Sequence, residues 1–501
     1  MSRPAFLIGL LAAVLLRLAL GFLPGYGPDI VQMKSWALMS AREGVSSVFE
    51  TTTYDYPPLF ILLIRPIGEA YLSLHPEFET ADVRRGDGDI LAFRTKDDVI
   101  YRHGALRPGV RAAHPMLPLP GDRLFTFLIK LPGLLFDLVI AALLHSLVGN
   151  RSAGGTARRS VESGRVVALL WLLNPAVLWD TAYWGLPDSI HSAFAFVAVA
   201  LAGTSRPAGS SRPAGTSRPA GSAPIVGSLP PAANEDGRIR IGRPVLPPTW
   251  RSSGRWFLAG AALAAGVLMK PLAAPLVPLL IWAAVRGARV RGLLALAFGA
   301  GLVVVALYSP FLASGNGVVA VQRLFADLDA MPYTSINAHN LWWWLGSWRN
   351  ANDPFLLGMS ARTVGLLAFL LLYAVLLATR TTVATPRRTA DLALVAASVL
   401  GVFFLLSTHM HENHLFTVLP FLTLLSGRRT FLWLLVAASL GLLSNLVLHD
   451  PNLGMPTSAD AALTPWESAA SHVSTVWIAV TVGWLFVVSL RPIRDPDTET
   501  S

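Results

Sequence analysis

The chain has 501 residues, 53 % of them apolar and only 14 % charged, with a mean hydropathy of +0.53. A soluble domain of this size would be about a quarter charged, so the composition points to a polytopic membrane protein. Its net charge of +10 lies in short loops between apolar runs, the mark of cytoplasmic loops rather than of a nucleic-acid face, and the lack of any cysteine excludes a disulfide, a cysteine zinc site and a thiol nucleophile.

Apolar runs fall near residues 5–23, 124–149, 166–183, 189–203, 256–270, 272–285, 293–312, 361–379, 390–408, 414–426, 430–448 and 473–490. The first has the basic start of a signal peptide. No small-residue cleavage site follows Gly21, so it reads as a retained helix. A thirteenth run, 59–74, carries Arg65 and Glu69 and is short for a span.

Loop charges decide its role. Arg151, Arg158, Arg159 and Arg165 form one basic loop, and Arg286, Arg289 and Arg291 a second. Arg380, Arg387 and Arg388 form a third, and Arg428 and Arg429 a fourth. If 59–74 does not cross, all four share the N-terminal, cytoplasmic side with the basic 204–255 segment. The expected architecture is therefore an all-α polytopic membrane protein of about 12 transmembrane helices, both termini cytoplasmic, in the plasma or inner membrane. A long first extracytoplasmic loop, 25–123, would carry interfacial helices. Residues 1–203 form the N-terminal part of the membrane module, 256–490 the remainder with a second external loop at 313–360, and 491–501 a polar tail. Within 204–255 the repeat SRPAGS-SRPAGT-SRPAGS at 205–222 and the Pro-rich tract after it cannot bury a core, and read as a disordered cytoplasmic linker.

On this topology the polar residues of interest gather on the external face. Asp29 and Asp55 lie in the first loop, Asp55 beside Tyr56, and Trp184 and Asp188 lie between the third and fourth spans. Lys270 precedes Pro271 at a helix-to-helix corner; His339, Asn340 and Trp342 follow in the second loop, and His409, His411, Glu412 and His414 close the set. Structural roles compete at several positions. Asp29 suits a cap for a helix over Ile30–Ala41, Asp188 a cap for the fourth span, Lys270 a snorkelling cation, and the tryptophans an interfacial belt. The histidines miss the zincin pattern, since only His411 and His414 share a helical face and Glu412 is out of register, so no metal is assigned and contact with phosphate or sugar is preferred. Inside the apolar runs, Arg17 and Asp137 suggest a structural ion pair, and Lys130 a second cation for a lipid phosphate.

Were the reaction the sugar transfer from a polyprenyl phosphate that the resemblance given next implies, displacement at the anomeric carbon would need chiefly a base for the acceptor hydroxyl and cations for the departing phosphate. Asp29 supplies the first; Lys270, Arg65, His409, His411 and His414 supply the second. Asp29 with Asp55 would also suit a retaining route through paired carboxylates. Trp184 and Trp342–Trp344 offer flat faces to sugar rings.

The order GPDIVQMKSW, DYPPL, a Lys130–Asp137 helix reading KLPGLLFD, NPAVLWDTAYWGLPDS, MKP, NAHNLWWWLG and HMHENHLFTVLP resembles the GT-C superfamily of polytopic glycosyltransferases. It is most similar to the lipid-phosphate-glucose-dependent glucosyltransferases of the N-glycan precursor pathway and their bacterial relatives. The resemblance runs from Leu10 to Leu425. It implies an inverting hexosyl transfer, glucose or mannose, from a polyprenyl-phosphate donor to a glycan, glycolipid or protein acceptor, outside the cytoplasm and without a cofactor or nucleotide donor. Asp29 matches the first-loop catalytic base, Asp55 the acid of DYPPL, and His409, His411 and Glu412 the HxHE cluster. Leu186 and Asn413 depart from the pattern, where Gln and a basic residue are common. A flippase or transporter of a lipid-linked saccharide is the alternative; it predicts charges along a mid-membrane path and inverted repeats, and no such repeat is visible.

Overall fold

A computed structural model describes residues 1–51, 56–76, 82–86, 90–94, 99–103, 123–149, 157–204, 248–318, 320–322, 332–381, 389–455 and 463–491. Asp55, the 205–222 repeat and the 492–501 tail lie outside the described residues. The described part is dominated by helices. Among the described residues, seven helices are long and apolar enough to cross a membrane, and an eighth if the bent pair Val161–Leu172 and Pro175–Trp184 counts as one span. Every one of the twelve apolar runs coincides with helix, but Asp188–Gly203 and His414–Leu425 are shorter apolar helices.

The first span is α1 (Arg3–Gly21), whose Ser2 side chain accepts from Ala5 N and whose Pro4 occupies the first turn, where a missing N–H costs nothing. After it come α2 (Gly27–Glu43), α3 (Val45–Thr51) and α4 (Pro58–Leu74). The last of these, the 59–74 run, packs on α2 and exposes an Arg65–Glu69 pair at 2.7 Å. The first loop is not helical throughout. Strands β1 (Asp82–Gly86), β2 (Ile90–Arg94) and β3 (Val99–His103) form an antiparallel sheet, because β2 and β3 are rich in β-branched and aromatic residues.

Then follow α5 (Arg123–Gly149), α6 (Ala157–Leu172), the short α7 (Pro175–Val177) continuing into a wide π-turn over Leu178–Trp184, α8 (Asp188–Gly203) and α9 (Pro248–Val267). The two runs at 272–285 and 293–312 form α10 (Leu276–Ala313), broken at Arg289, whose φ of 56° and ψ of −146° lie outside helical space. The remainder comprises α11 (Leu341–Gly346), α12 (Ala361–Thr381), α13 (Thr389–Leu406), α14 (Leu419–Leu425), α15 (Arg429–Val447) and α16 (Pro465–Ser489). A capping box between Thr464 and Glu467 starts α16.

The two ends of the bundle differ in chemistry. At one, Met1 meets Glu162 at 3.7 Å, Arg255 bonds Thr204 O, and Arg380 bonds the carbonyls of Ser489 and Arg491. This arginine-bearing end collects the start of α1 with the ends of α8, α12 and α16. At the other end, Leu23, Trp184, Asp188, Lys270, Asn413 and Asp450 are brought together, as set out below.

Between the ends lies the pair anticipated from sequence. Arg17 Nε stands 3.1 Å from Asp137 Oδ2, both buried, and Arg17 also bonds the carbonyl of Leu172. Asp137 further accepts from Thr181 Oγ1 and Ser189 Oγ, each at 2.6 Å, while Trp171 Nε1 bonds its backbone carbonyl at 3.1 Å. One carboxylate thus ties α1, the π-turn and α8 to α5. Asp137→Ala would leave Arg17 buried without a counter-charge, so a loss of about 3–5 kcal/mol is expected. Thermal unfolding in detergent checks this; an unchanged midpoint would remove the node from the account.

Candidate functional site

The site is built on turns that sequence alone leaves loose. Gly25 (φ 82°) and Gly185 (φ 86°) hold backbone that L side chains rarely adopt, and a Cβ on Gly185 would lie 2.5 Å from Lys130 Cγ. Tyr26 N donates to Trp184 O at 3.0 Å, and the two rings are tilted against each other at 4.5 Å. These contacts fix the start of α2 against the end of the π-turn. The helix begins at Gly27, earlier than the Ile30 start read from sequence, so Asp29 sits inside the first turn and is not its cap. Its carboxylate is left for other work, in the positive field of the helix N-terminus.

Asp188 is likewise the first residue of α8 and not its cap. Buried, it accepts from Lys270 Nζ at 2.8 Å and from Asn413 Nδ2, and His191 Nδ1 lies 3.6 Å away. Lys270 is therefore an ion-pair partner rather than a snorkelling cation. It precedes the tight turn Pro271–Ala273 in extended backbone, and its ammonium lies 5.9 Å from the centroid of the Tyr56 ring.

The histidine loop is held from the side. Strands β4 (Ser335–Ile336) and β7 (Met410–His411) pair in parallel, and His409 N donates to Tyr333 O at 3.0 Å. Together they keep His409 at a φ of 61°, a conformation a non-glycine residue adopts only when its surroundings impose it. Next to it, His411 N donates to His414 Nδ1 at 3.2 Å, and the three imidazoles form a chain with centroids 5.8 and 5.0 Å apart.

The structure divides the sequence-selected residues into three groups. Asp29, Tyr56, Lys270, His409 and His411 keep part of their surface accessible. Asp29 and Tyr56 lie near Lys270, and His409 and His411 lie near His414, which is also within reach of the Lys270 charge. Asp188, Glu412 and His414 stand behind them, buried. The rest belong to the framework. Trp184 is fully buried, with Nε1 donating to Asp450 Oδ2 at 3.0 Å, so it offers no face to a sugar. Asn340 caps α11, accepting from Trp342 N and Trp343 N, while its amide donates to the carbonyls of Phe404 and Ser407. Every hydrogen-bonding position of that side chain is used. Trp342 is buried and bonds Leu406 O at 2.7 Å, and buried His339 faces His449, Nε2 to Nε2, at 3.1 Å. Lys130 gives its protons to the carbonyls of Leu23, Ala182 and Tyr183, which corrects the expectation of a phosphate ligand. Of the remaining cation, Arg65 is engaged by Glu69.

Sequence reasoning missed Asp180. It lies in the π-turn, fully buried, with neither carboxyl oxygen hydrogen-bonded. The signal was present, since a carboxylate within an apolar run is what singled out Asp137. Asp450 was missed as well, and Asn413 was noted only as a departure from the family pattern; nothing short of the fold joins them to Trp184 and Asp188.

Electrostatics grade the acids. Burial raises the Asp29 carboxyl to about 6, with Lys270 opposing and Asp188 reinforcing the shift. Part of Asp29 stays accessible, yet protein surrounds it closely enough for desolvation to dominate. Glu412 is pushed further, to about 8, by burial and by the nearby Asp29 and Asp188 carboxylates, against its own backbone amide and Lys270. Burial, helped by Glu412, Asp29 and Asp450, also raises the Tyr26 phenol. At neutral pH the site thus holds Asp29 mainly ionised and Glu412 mainly protonated. Among the described residues no three His, Asp or Glu side chains are grouped so as to hold a metal ion.

Compared with protein-family models and with curated proteins, the chain matches none.

The Glu412 shift makes stability depend on pH. Folded Glu412 keeps a proton that the unfolded chain releases above its ordinary value of 4.5, so stability should fall as pH rises from about 4.5 through about 8. Glu412→Gln carries no such proton. The expected result is a detergent melting temperature less sensitive to pH in the variant between 5 and 8.5; identical slopes in both proteins would place Glu412 in solvent.

Proposed function

We propose that the protein is an inverting glycosyltransferase of the GT-C type. It moves a hexose from a polyprenyl-phosphate donor to an acceptor hydroxyl on a glycan, glycolipid or protein. The reading places twelve helical crossings in a plasma or inner membrane, with the arginine-bearing end and both termini in the cytoplasm and the site outside. Supporting it, successive apolar helices alternate between the two ends, and the Arg255 and Arg380 contacts lie at the end away from Asp29 and Asp188.

The observation that carries the chemistry is Asp29. It is a partly accessible carboxylate with a proton affinity near neutrality, held at a helix start within reach of the Lys270 charge. In the proposed step Asp29 takes the acceptor hydroxyl proton as the acceptor oxygen attacks the anomeric carbon. The bond from that carbon to the phosphate oxygen breaks on the opposite face. Polyprenyl phosphate leaves as an anion, met by Lys270, His409 and His411. Asp188 engages Lys270 on one side, and an ammonium has three protons, so two can turn to phosphate while the ion pair persists. Tyr56, beside Lys270, is the aromatic ring placed to meet a sugar. The retaining alternative would need Asp55, which lies outside the described residues.

Asp29→Asn should lower transfer from a polyprenyl-phosphate hexose by about 100-fold or more, with expression and melting temperature unchanged. In the parent protein the rate should rise with pH through about 6 as Asp29 loses its proton, and then level. A fully active Asp29→Asn enzyme would sink the role of that residue. Vesicles in which saccharide crosses the membrane without any transfer product would support the transporter reading instead.

A further inference from the structure

The second loop ends in a small hairpin, β5 (Pro354–Leu356) and β6 (Met359–Ser360), directly before α12. Leu356 pairs with Met359, so the turn consists of Leu357 and Gly358 alone, with φ of 52° and 78°. A two-residue turn of this hand requires positive φ at both positions and therefore favours Asn, Asp or Gly. Leucine is a poor choice there, since its Cβ crowds the following carbonyl in left-handed backbone. Packing within the chain does not compensate. Leu357 is 89 % exposed, the most exposed large apolar residue among the described residues, and its neighbours Phe355 and Leu356 are exposed as well. An apolar side chain in a disfavoured conformation, seated against nothing of its own chain, points to a surface outside the chain.

We propose that the hairpin Pro354–Ser360 dips into the membrane, its leucine tip seated among the acyl chains of the leaflet at the acid-bearing end. Three observations select lipid over another protein. The stretch from Pro354 to Ala361 carries no charge, whereas Asp353 and Arg362 flank it, so hydrocarbon would accept it whole. The hairpin rests on the first turns of α12, a helix long and apolar enough to span. It is thereby continuous with the exposed stripe Leu366, Leu367, Leu370 and Leu371 of that helix, the face a bilayer must cover. Trp344 and Trp466, exposed at the same end of the bundle, are the aromatic type that collects at the interface. Nothing in this inference depends on the transferase reading.

The chain has no cysteine, so Leu357→Cys offers one attachment point for a polarity-sensitive fluorophore in the full-length protein. The labelled protein is placed in phosphatidylethanolamine–phosphatidylglycerol vesicles, with Asp353→Cys as the exposed control. Spin-labelled lipid is expected to quench the label at 357 several-fold more than that at 353, and aqueous iodide to quench it several-fold less. Equal iodide quenching at both positions overturns the proposal. So does protection of 357 from both quenchers, which would mean a protein partner covers the tip. Leu357→Asn provides the folding control. Asparagine suits the turn, so the variant should fold, with the parent's gel-filtration profile and helix content in detergent; a variant that aggregates or loses helix would show that the leucine serves the fold and would equally overturn the proposal.

Discussion

The charge buried between Arg17 and Asp137 is the constraint on which the rest of the structure depends. An ion in hydrocarbon must be paired, and a pair must also fill its remaining hydrogen-bonding positions. Asp137 does so with hydroxyls from two other elements, Thr181 in the π-turn and Ser189 at the start of α8. The π-turn and α8 bracket only Gly185, Leu186 and Pro187, and Asp188 opens α8 directly before Ser189. Fixing both brackets to one carboxylate therefore fixes the place of Asp188. Asp188 in turn holds Lys270 and Asn413, which belong to the corner after α9 and to the histidine loop. A deep structural pair so determines, through a chain of named bonds, where the ammonium near the outer aspartate is held.

Around that node the polar groups are layered. Asp29, Lys270, His409 and His411 keep accessible surface, while Asp180, Asp188, Glu412 and His191 lie behind them in the dark. Lysine answers Asp188, leaving Asp180 and the Oε2 atom of Glu412 without a hydrogen-bond partner. Glu412, pushed up to about 8 chiefly by burial, holds a proton rather than a charge at neutral pH. With Asp188 paired to Lys270, Asp29, at about 6, is the partly accessible acid of the group that carries charge at neutral pH.

Much of the candidate site was legible because membrane sequence is economical with polar residues. Asp29, Asp188, Lys270 and the histidines of the 409–414 loop stand out against apolar neighbours, and the structure brings them to one end of the bundle, whereas His339 belongs to the framework beside His449. Their individual roles were less legible. Asn340 and Trp342 carry the same polar and aromatic signal as Tyr56, yet one caps a helix and the other bonds a carbonyl; sequence gives no count of the partners a side chain already has. Lys130 looked like a free cation for the same reason, since its three acceptors are backbone carbonyls with no sequence signature. Helix starts were off by a few residues, and at Asp29 that small error decides between a cap and a side chain left over for chemistry. The sheet at 82–103 was missed because charged residues between its strands read as loop.

Backbone strain separates what a polar census could not. Among the described residues, the non-glycine residues with positive φ are Arg289, Asn337, Trp348, Leu357 and His409. Arg289 breaks α10 at the arginine-bearing end, while the other four belong to the segments that build the opposite end. Asn337 and His409 sit beside the paired strands β4 and β7, where surrounding bonds impose the conformation and aim the histidine loop. Leu357 differs, because no comparable network surrounds an exposed hairpin tip. Strain that the chain's own bonds account for belongs to the scaffold of the site. Strain left unaccounted for, on an apolar side chain at the end of a span, is better explained by the bilayer that the isolated chain lacks.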